Sequence, residues 1–204
     1  MTLQEYLHQC ILPRYAQFDA AHRLDHVESV MRRSAEMAKH YPEANSTLVM
    51  TAAAYHDLGL CEGRERHHLV SGRIVREDKQ LRQWFTPDEI ETIAQAAEDH
   101  RASSDHQPRS IYGLIVAEAD RLIDVDIVVR RCLQYGLAHY PELTREQHYS
   151  RAHDHLIQKY GENGYLKLYL PESPNAFPLQ ELRCLIKDQE KLRRKFDEVW
   201  KSIQ

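Results

Sequence analysis

The stretch TAAAYHDLGL, Thr51 to Leu60, decides how this chain folds. Thr51 to Tyr55 read as the middle of a buried helix, small or apolar at nearly every step. His56 and Asp57, two groups that ionise or bind metal, then arrive together, and Gly59 follows. A buried polar side chain costs free energy unless something satisfies it. The rest of the chain must therefore provide partners for an imidazole and a carboxylate at the inner end of a core helix.

Outward from this stretch, helical spacing recurs almost everywhere. Between His22 and Tyr41, Val27, Val30, Met31, Ala35 and Ala38 fall at three- and four-residue steps, and Pro42 ends the pattern. Asn45 or Ser46 can cap the next helix, which is apolar nearly all round through Ala54 and so is expected at the centre. Gly59 is its expected stop signal. Thr2 with Glu5 reads as a capping box opening a first helix towards Phe18. RERHHLVSGRIVRED (64–78) continues as a helix, and Thr86, Pro87 and Glu89 open another. SIYGLIVAEADRLIDVDIVVRRCLQYGL (110–137) gives one long helix or two joined ones, and Thr144 opens a helix ending near Tyr160-Gly161. YLKLYL (165–170) alternates like a strand, but a lone short strand has no evident pairing partner. Leu179 to Ile203 reads as one final amphipathic helix. With no repeats or clear linkers, the expectation is a single all-α domain over 1–204: a compact helical bundle with a core of about 20–130 and a C-terminal helical extension of about 140–204.

The chain has 204 residues, 42% hydrophobic and 28% charged, which suits a packed core and excludes a disordered chain. A net charge of −4 gives no reason to expect a polyanion, so no stable nucleic-acid binding is expected. Cys10, Cys61, Cys132 and Cys184 form no CxxC pair and read as reduced thiols packed as small hydrophobes. No run approaches the roughly 20 apolar residues of a membrane span. MTLQEYLHQCILPRYAQFD lacks the basic start and apolar run of a signal peptide, so the expectation is a soluble, cytoplasmic protein with no membrane partner.

Among the 13 histidines, the informative ones interrupt apolar helical patterns. His26 lies on the inward side of its helix, His56 and Asp57 close the central one, and Asp120 interrupts LIVAEADRLI. Each alone would be a costly core residue. Together, two imidazoles and two carboxylates make a four-ligand N/O site for a divalent transition metal.

The order His26, His56-Asp57, Asp120, with LDHVESV around the first ligand, AAAYHDLG around the doublet and AEADRLID around the last, resembles the HD superfamily of metal-dependent phosphohydrolases. The resemblance covers roughly residues 20–130 and implies a helical bundle of the HD type with additional C-terminal helices. HLVSG (68–72) is similar to the His-x-x-x-Gly helix start of two-metal HD proteins, and His100 in EDHRASSD stands where those proteins carry a further histidine. The resemblance thus implies a second metal on His68 and His100, with Asp57 bridging; His67 competes with His68, and the glycine spacing favours His68. One or two divalent ions (Mn, Fe, Zn, Co or Ni) are the expected cofactors. Leu60 and the absence of GYP after His100 depart from the cyclic-dinucleotide phosphodiesterases of the superfamily, and Leu60-Cys61 departs from its guanosine polyphosphate hydrolases.

The expected reaction is hydrolysis of a phosphate ester or anhydride of a small molecule, with a nucleotide as the expected substrate class. Asp57 is the candidate catalytic group, orienting or deprotonating the attacking water. Arg101, directly after His100, and Arg23, three residues before His26, are the candidates for binding phosphate; Arg64, Arg66 and Arg109 lie in neighbouring connections. Two rival readings stand beside this one: a catalytically silent nucleotide sensor and a di-iron oxygenase built on the same constellation. The C-terminal helices complete the core, cover the cleft or form a homodimer face.

Overall fold

The computed structural model describes residues 1–19 and 22–203, which form helices and connecting turns with no strand among them. The chain divides into two compact units. The first is Met1–Arg121 with Tyr169–Ser173, and the second is Leu122–Leu168 with the chain from Pro174 onward.

In the first unit, Thr2 and Glu5 form the reciprocal capping box that opens α1 (Leu3–Tyr6). The rod continues through a π-helical turn, Leu7–Ile11, and 3-10 turns, Leu12–Gln17, towards Phe18 as expected. Next, α2 (Leu24–Ala38) buries Val27, Val30, Met31, Met37 and Ala38. The side chain of Asn45 accepts the Thr47 N–H at 2.9 Å and starts α3 (Ser46–Tyr55). Every residue of α3 from Thr51 to Tyr55 is buried, and α3 packs against α2, α5 (Pro87–Glu98) and α6 (Ile111–Asp120). Each fully buried Val or Leu here stabilises the fold by about 1.5–3 kcal/mol. Between them, a 3-10 turn (Leu58–Glu62) and α4 (His67–Glu77) lie together, and α4 packs along α5.

YLKLYL is extended but pairs with nothing as a strand, and its alternation serves burial in two places. Leu166 is buried in the second unit, whereas Leu170 returns to the core of the first. The buried Glu118 of α6 holds that return, accepting the Tyr169 N–H and the Ser173 hydroxyl, each at 2.5 Å.

The second unit holds α7 (Val125–His139), α8 (Arg145–Tyr160), α9 (Ala176–Lys187) and α10 (Gln189–Ile203). The apolar run 110–137 is two helices, broken by extended backbone at Arg121 and restarted by Asp124, whose side chain accepts the Ile127 N–H. The expected final helix is also two, broken at Asp188 (φ −95°, ψ 92°), which accepts the Lys191 N–H at 3.0 Å and starts α10. No described helix is long and apolar enough to cross a membrane. The thiols depart from expectation: only Cys132 is buried, while Cys10, Cys61 and Cys184 are exposed.

Candidate metal centre

The helix α3 delivers the doublet. His56 keeps helical backbone angles and Asp57 leaves them (φ −109°, ψ 3°), so both side chains emerge at the buried end of the helix. The His56 ring folds back so that Nδ1–H donates to Ala53 O at 2.7 Å. His100 repeats the geometry just past the end of α5, with Nδ1–H donating to Ala97 O at 2.6 Å. At the start of α4, His67 Nδ1–H donates to Arg64 O at 2.7 Å. A carbonyl can only accept, so each ring carries a proton on Nδ1 and, in its neutral form, presents a bare Nε2 lone pair.

Those lone pairs converge on carboxylates in two groups. In the first, His26 Nε2 and His56 Nε2 are 3.2 Å apart, and Asp57 Oδ2 lies 3.4 and 3.3 Å from them. Asp120 Oδ1 joins at 3.3 Å from His26 Nε2 and 3.7 Å from His56 Nε2. In the second, His67 Nε2 and His100 Nε2 are 3.1 Å apart, with Asp57 Oδ1 at 3.5 and 3.3 Å. One carboxylate therefore presents a different oxygen to each group.

This arrangement fits a cation. With both rings neutral, the Nε2 lone pairs of His67 and His100 meet at 3.1 Å, which is repulsive unless a positive charge lies between them. Ligands on one ion at about 2.0–2.2 Å and tetrahedral angles stand about 3.4 Å apart, the spacing found here. Imidazole nitrogen with carboxylate oxygen is a donor set for divalent transition metals. In both groups, His26-His56-Asp57 and Asp57-His67-His100, the donor atoms lie within 4.8 Å of one another.

The electrostatics divide the two groups. Burial opposes ionisation of Asp57, but the charge on His56 and hydrogen bonds from His100, His26 and His56 hold its carboxyl well below the usual range. Burial likewise opposes ionisation of Asp120, and His26 and His56 overcome it. His56, despite its burial, is pushed up to about 10 by Asp57 and Asp120. His67 goes the other way, down to about 4, through burial and then the neighbouring His100 charge.

A family model for the HD domain matches residues 23–123, the stretch that carries five of these six side chains on α2 to α5 and the sixth at the end of α6. The protein carries an HD domain. The fold agrees with the crystal structure of a predicted HD superfamily hydrolase from an uncultured Thermotogales bacterium, at a TM-score of 0.50. That likeness covers 74% of this chain and 83% of the other at 20% sequence identity, and it speaks for the fold alone. No curated protein sequence matches the chain. The HD domain and its His/Asp clusters place the protein in a superfamily of metal-dependent hydrolases that bind divalent cations.

Within the HD domain, the side chains of His26, His56, Asp57, His100 and Asp120 come together, and that of His68 does not join them. His67 takes the place expected for His68. Successive helix residues are about 100° apart, so only one of two adjacent histidines can face Asp57. The glycine spacing misleads because Gly72 has its own reason to be glycine. A Cβ there would stand 2.3 Å from Glu98 Oε1, so Gly72 lets α4 and α5 approach and sets no histidine register. His68 instead turns its Nδ1 to within 3.5 Å of the Arg101 guanidinium.

The two candidate phosphate-binding arginines are placed differently. Arg101 is half-buried, donating to Ser103 Oγ at 2.9 Å and to Glu65 O at 2.5 Å, so it ties the end of α5 to the approach to α4. Arg23 is exposed at the start of α2, its Nε 3.4 Å from Phe18 O. Arg64 reaches Asp19 at 3.4 Å. Arg109 is structural: the buried Asp99 accepts its backbone N–H at 2.7 Å and its Nε–H at 3.0 Å, which fixes the loop after His100. Asp99 and Arg33, whose guanidinium donates to Arg121 O at 2.9 Å beside Asp120, brace the ligand-bearing segments. Neither interrupts an apolar pattern in a way that marks it in the sequence.

Proposed function

We propose that the protein is a metal-dependent phosphohydrolase that cleaves a phosphate ester or anhydride of a small molecule, with nucleotides as the substrate class. The observation that carries this reading is the Asp57 carboxylate, with Oδ2 facing His26 and His56 and Oδ1 facing His67 and His100. It supports two divalent ions, of Mn, Fe, Zn, Co or Ni, sharing Asp57: one held with His26, His56 and Asp120, the other with His67 and His100. Such ions acidify water, polarise a phosphoryl oxygen and clamp the attacking and leaving oxygens of a displacement.

The residues of this chain take distinct parts. Asp57 stays ionised, so it serves better to hold charge and orient water than to store a proton. Asp120, with 25% of its side chain exposed, stands at the accessible edge of the first group. Arg101 and Arg23 offer positive charge to the substrate phosphate.

Metal analysis of the purified protein, paired with a phosphate-release screen over nucleotides and sugar phosphates, tests the reading. Bound metal and metal-dependent phosphate release are expected, and His56→Ala should lose both. Full metal content and activity in His56→Ala would sink the assignment. Oxygen consumption by the iron-loaded protein, without phosphate release, would favour an oxygenase.

A further inference from the structure

Tyr15 lies in the 3-10 turns Leu12–Gln17, ahead of the residues matched by the HD family model, yet it is fully buried against the metal-ligand doublet. Its ring stands 6.4 Å from the His56 ring, and Phe18 packs edge-on against it at 5.4 Å. Its hydroxyl donates to Ala54 O at 3.0 Å and accepts the Asp57 N–H at 3.3 Å. Phenylalanine would fill the same space without a buried hydroxyl to satisfy, so the hydroxyl matters for what it joins.

What it joins is the end of α3. The last carbonyls of a helix lack backbone partners. Here Ala53 O takes the His56 ring and Ala54 O takes the Tyr15 hydroxyl. That same hydroxyl then catches the first amide beyond His56. The peptide bearing Asp57 is thus held from outside the helix, at the point where the carboxylate must direct one oxygen to each histidine pair. A rotation of that peptide would bring one oxygen nearer its group only by withdrawing the other.

We propose that Tyr15 is a positioning residue for the metal centre: its hydroxyl, clamped between Ala54 O and the Asp57 N–H, fixes the Asp57 peptide so that the carboxylate is shared between the two histidine groups. The proposal rests on the metal reading above and assigns the N-terminal helical segment a part in the site.

The test compares full-length wild type with Tyr15→Phe, which keeps the ring and removes the hydroxyl, and Phe18→Leu, which disturbs the packing and keeps the hydroxyl. Manganese affinity is measured by titration, the visible absorption of the cobalt-loaded protein is recorded, and thermal melting reports folding. Removing groups that orient metal ligands typically weakens binding about 10–100-fold. Tyr15→Phe should show a loss of that order and a changed cobalt spectrum, while Phe18→Leu melts lower with wild-type affinity and spectrum. If Tyr15→Phe does not fold, 3-fluorotyrosine at position 15 replaces it. Its hydroxyl is a weaker acceptor for the Asp57 amide, so a smaller loss in the same direction is expected. Wild-type affinity and spectrum in the hydroxyl variant overturn the proposal, as does loss in Phe18→Leu equal to that in Tyr15→Phe. Wild type that takes up no manganese or cobalt overturns the metal reading and this proposal together, so the two failures are told apart.

Discussion

At the start of α4 two adjacent histidines meet different neighbours: His67 Nε2 meets Asp57 and His100, whereas His68 meets Arg101. His67→Ala should therefore lower metal content towards half of wild type, while His68→Ala keeps it, as elemental analysis of the two purified variants will show. The reverse result would return the ligand to His68. His68 also has a pH signature. Burial, then the Arg101 charge, lowers its pKa from 6.5 to about 4. Between those values the unfolded chain takes up a proton that the folded chain refuses, so stability falls as pH drops through that window. In metal-free protein, His68→Gln should lose less of its urea midpoint than wild type between neutrality and about pH 5. Equal losses would mean that His68 titrates normally in the fold. The doublet His56-Asp57 was legible because an apolar run makes a polar pair conspicuous. The choice between His67 and His68 was not, because Gly72 owes its identity to Glu98 across a helix contact that no local spacing reveals.

Gly59 shows the same distinction between elements. As a presumed helix stop it would need left-handed backbone, yet Gly63 is the residue with positive φ among those described. Gly59 is glycine because α4 begins directly against it. A Cβ would stand 2.0 Å from His67 O and 2.6 Å from Ser71 N, and the Gly59 N–H already donates to Ser71 Oγ at 2.9 Å. Gly59→Ala must push the first turn of α4, and His67 with it, away from Asp57. The expected cost is about 1–3 kcal/mol, as for other overpacked interiors. Thermal melting should fall by several degrees and metal binding at the proposed His67 group should weaken; a variant as stable and as metal-replete as wild type would refute the close approach. Helix starts were the legible part of the fold. Thr2 and Thr86 form their capping boxes as read, and Thr144 opens its helix as read, with a box to Gln147, since capping is a bond between neighbours in sequence. The positions of the interior breaks were hidden, because neither Arg121–Asp124 nor Asp188 contains Gly or Pro. On either side the apolar periodicity carries on, through Leu182 and Ile186 and then Leu192, Phe196 and Val199.

Over the whole molecule, all six proposed ligands belong to the first unit, carried by α2, the end of α3, α4, the end of α5 and α6. The boundary to the second unit follows Asp120 by a single residue, inside an apolar run whose composition does not change, so nothing in the sequence marks it. An unfolded chain cannot keep ligands from positions 26 to 120 in one cluster, so metal binds the folded first unit and stabilises it by linkage. At free metal a thousandfold above its dissociation constant, that stabilisation is about 4 kcal/mol. Chelation should accordingly lower the melting temperature, and restoring manganese should recover it. Hydrogen exchange locates the effect. Amides of α3 and α5, the helices that end at His56 and His100, should lose protection when metal is stripped, whereas those of α8 and α10, which bear no ligand, should keep theirs. Equal loss along both units would mean that the metal acts on the chain as a whole. Unchanged exchange in α3 and α5 would mean that the histidine groups hold no ion that contributes to folding.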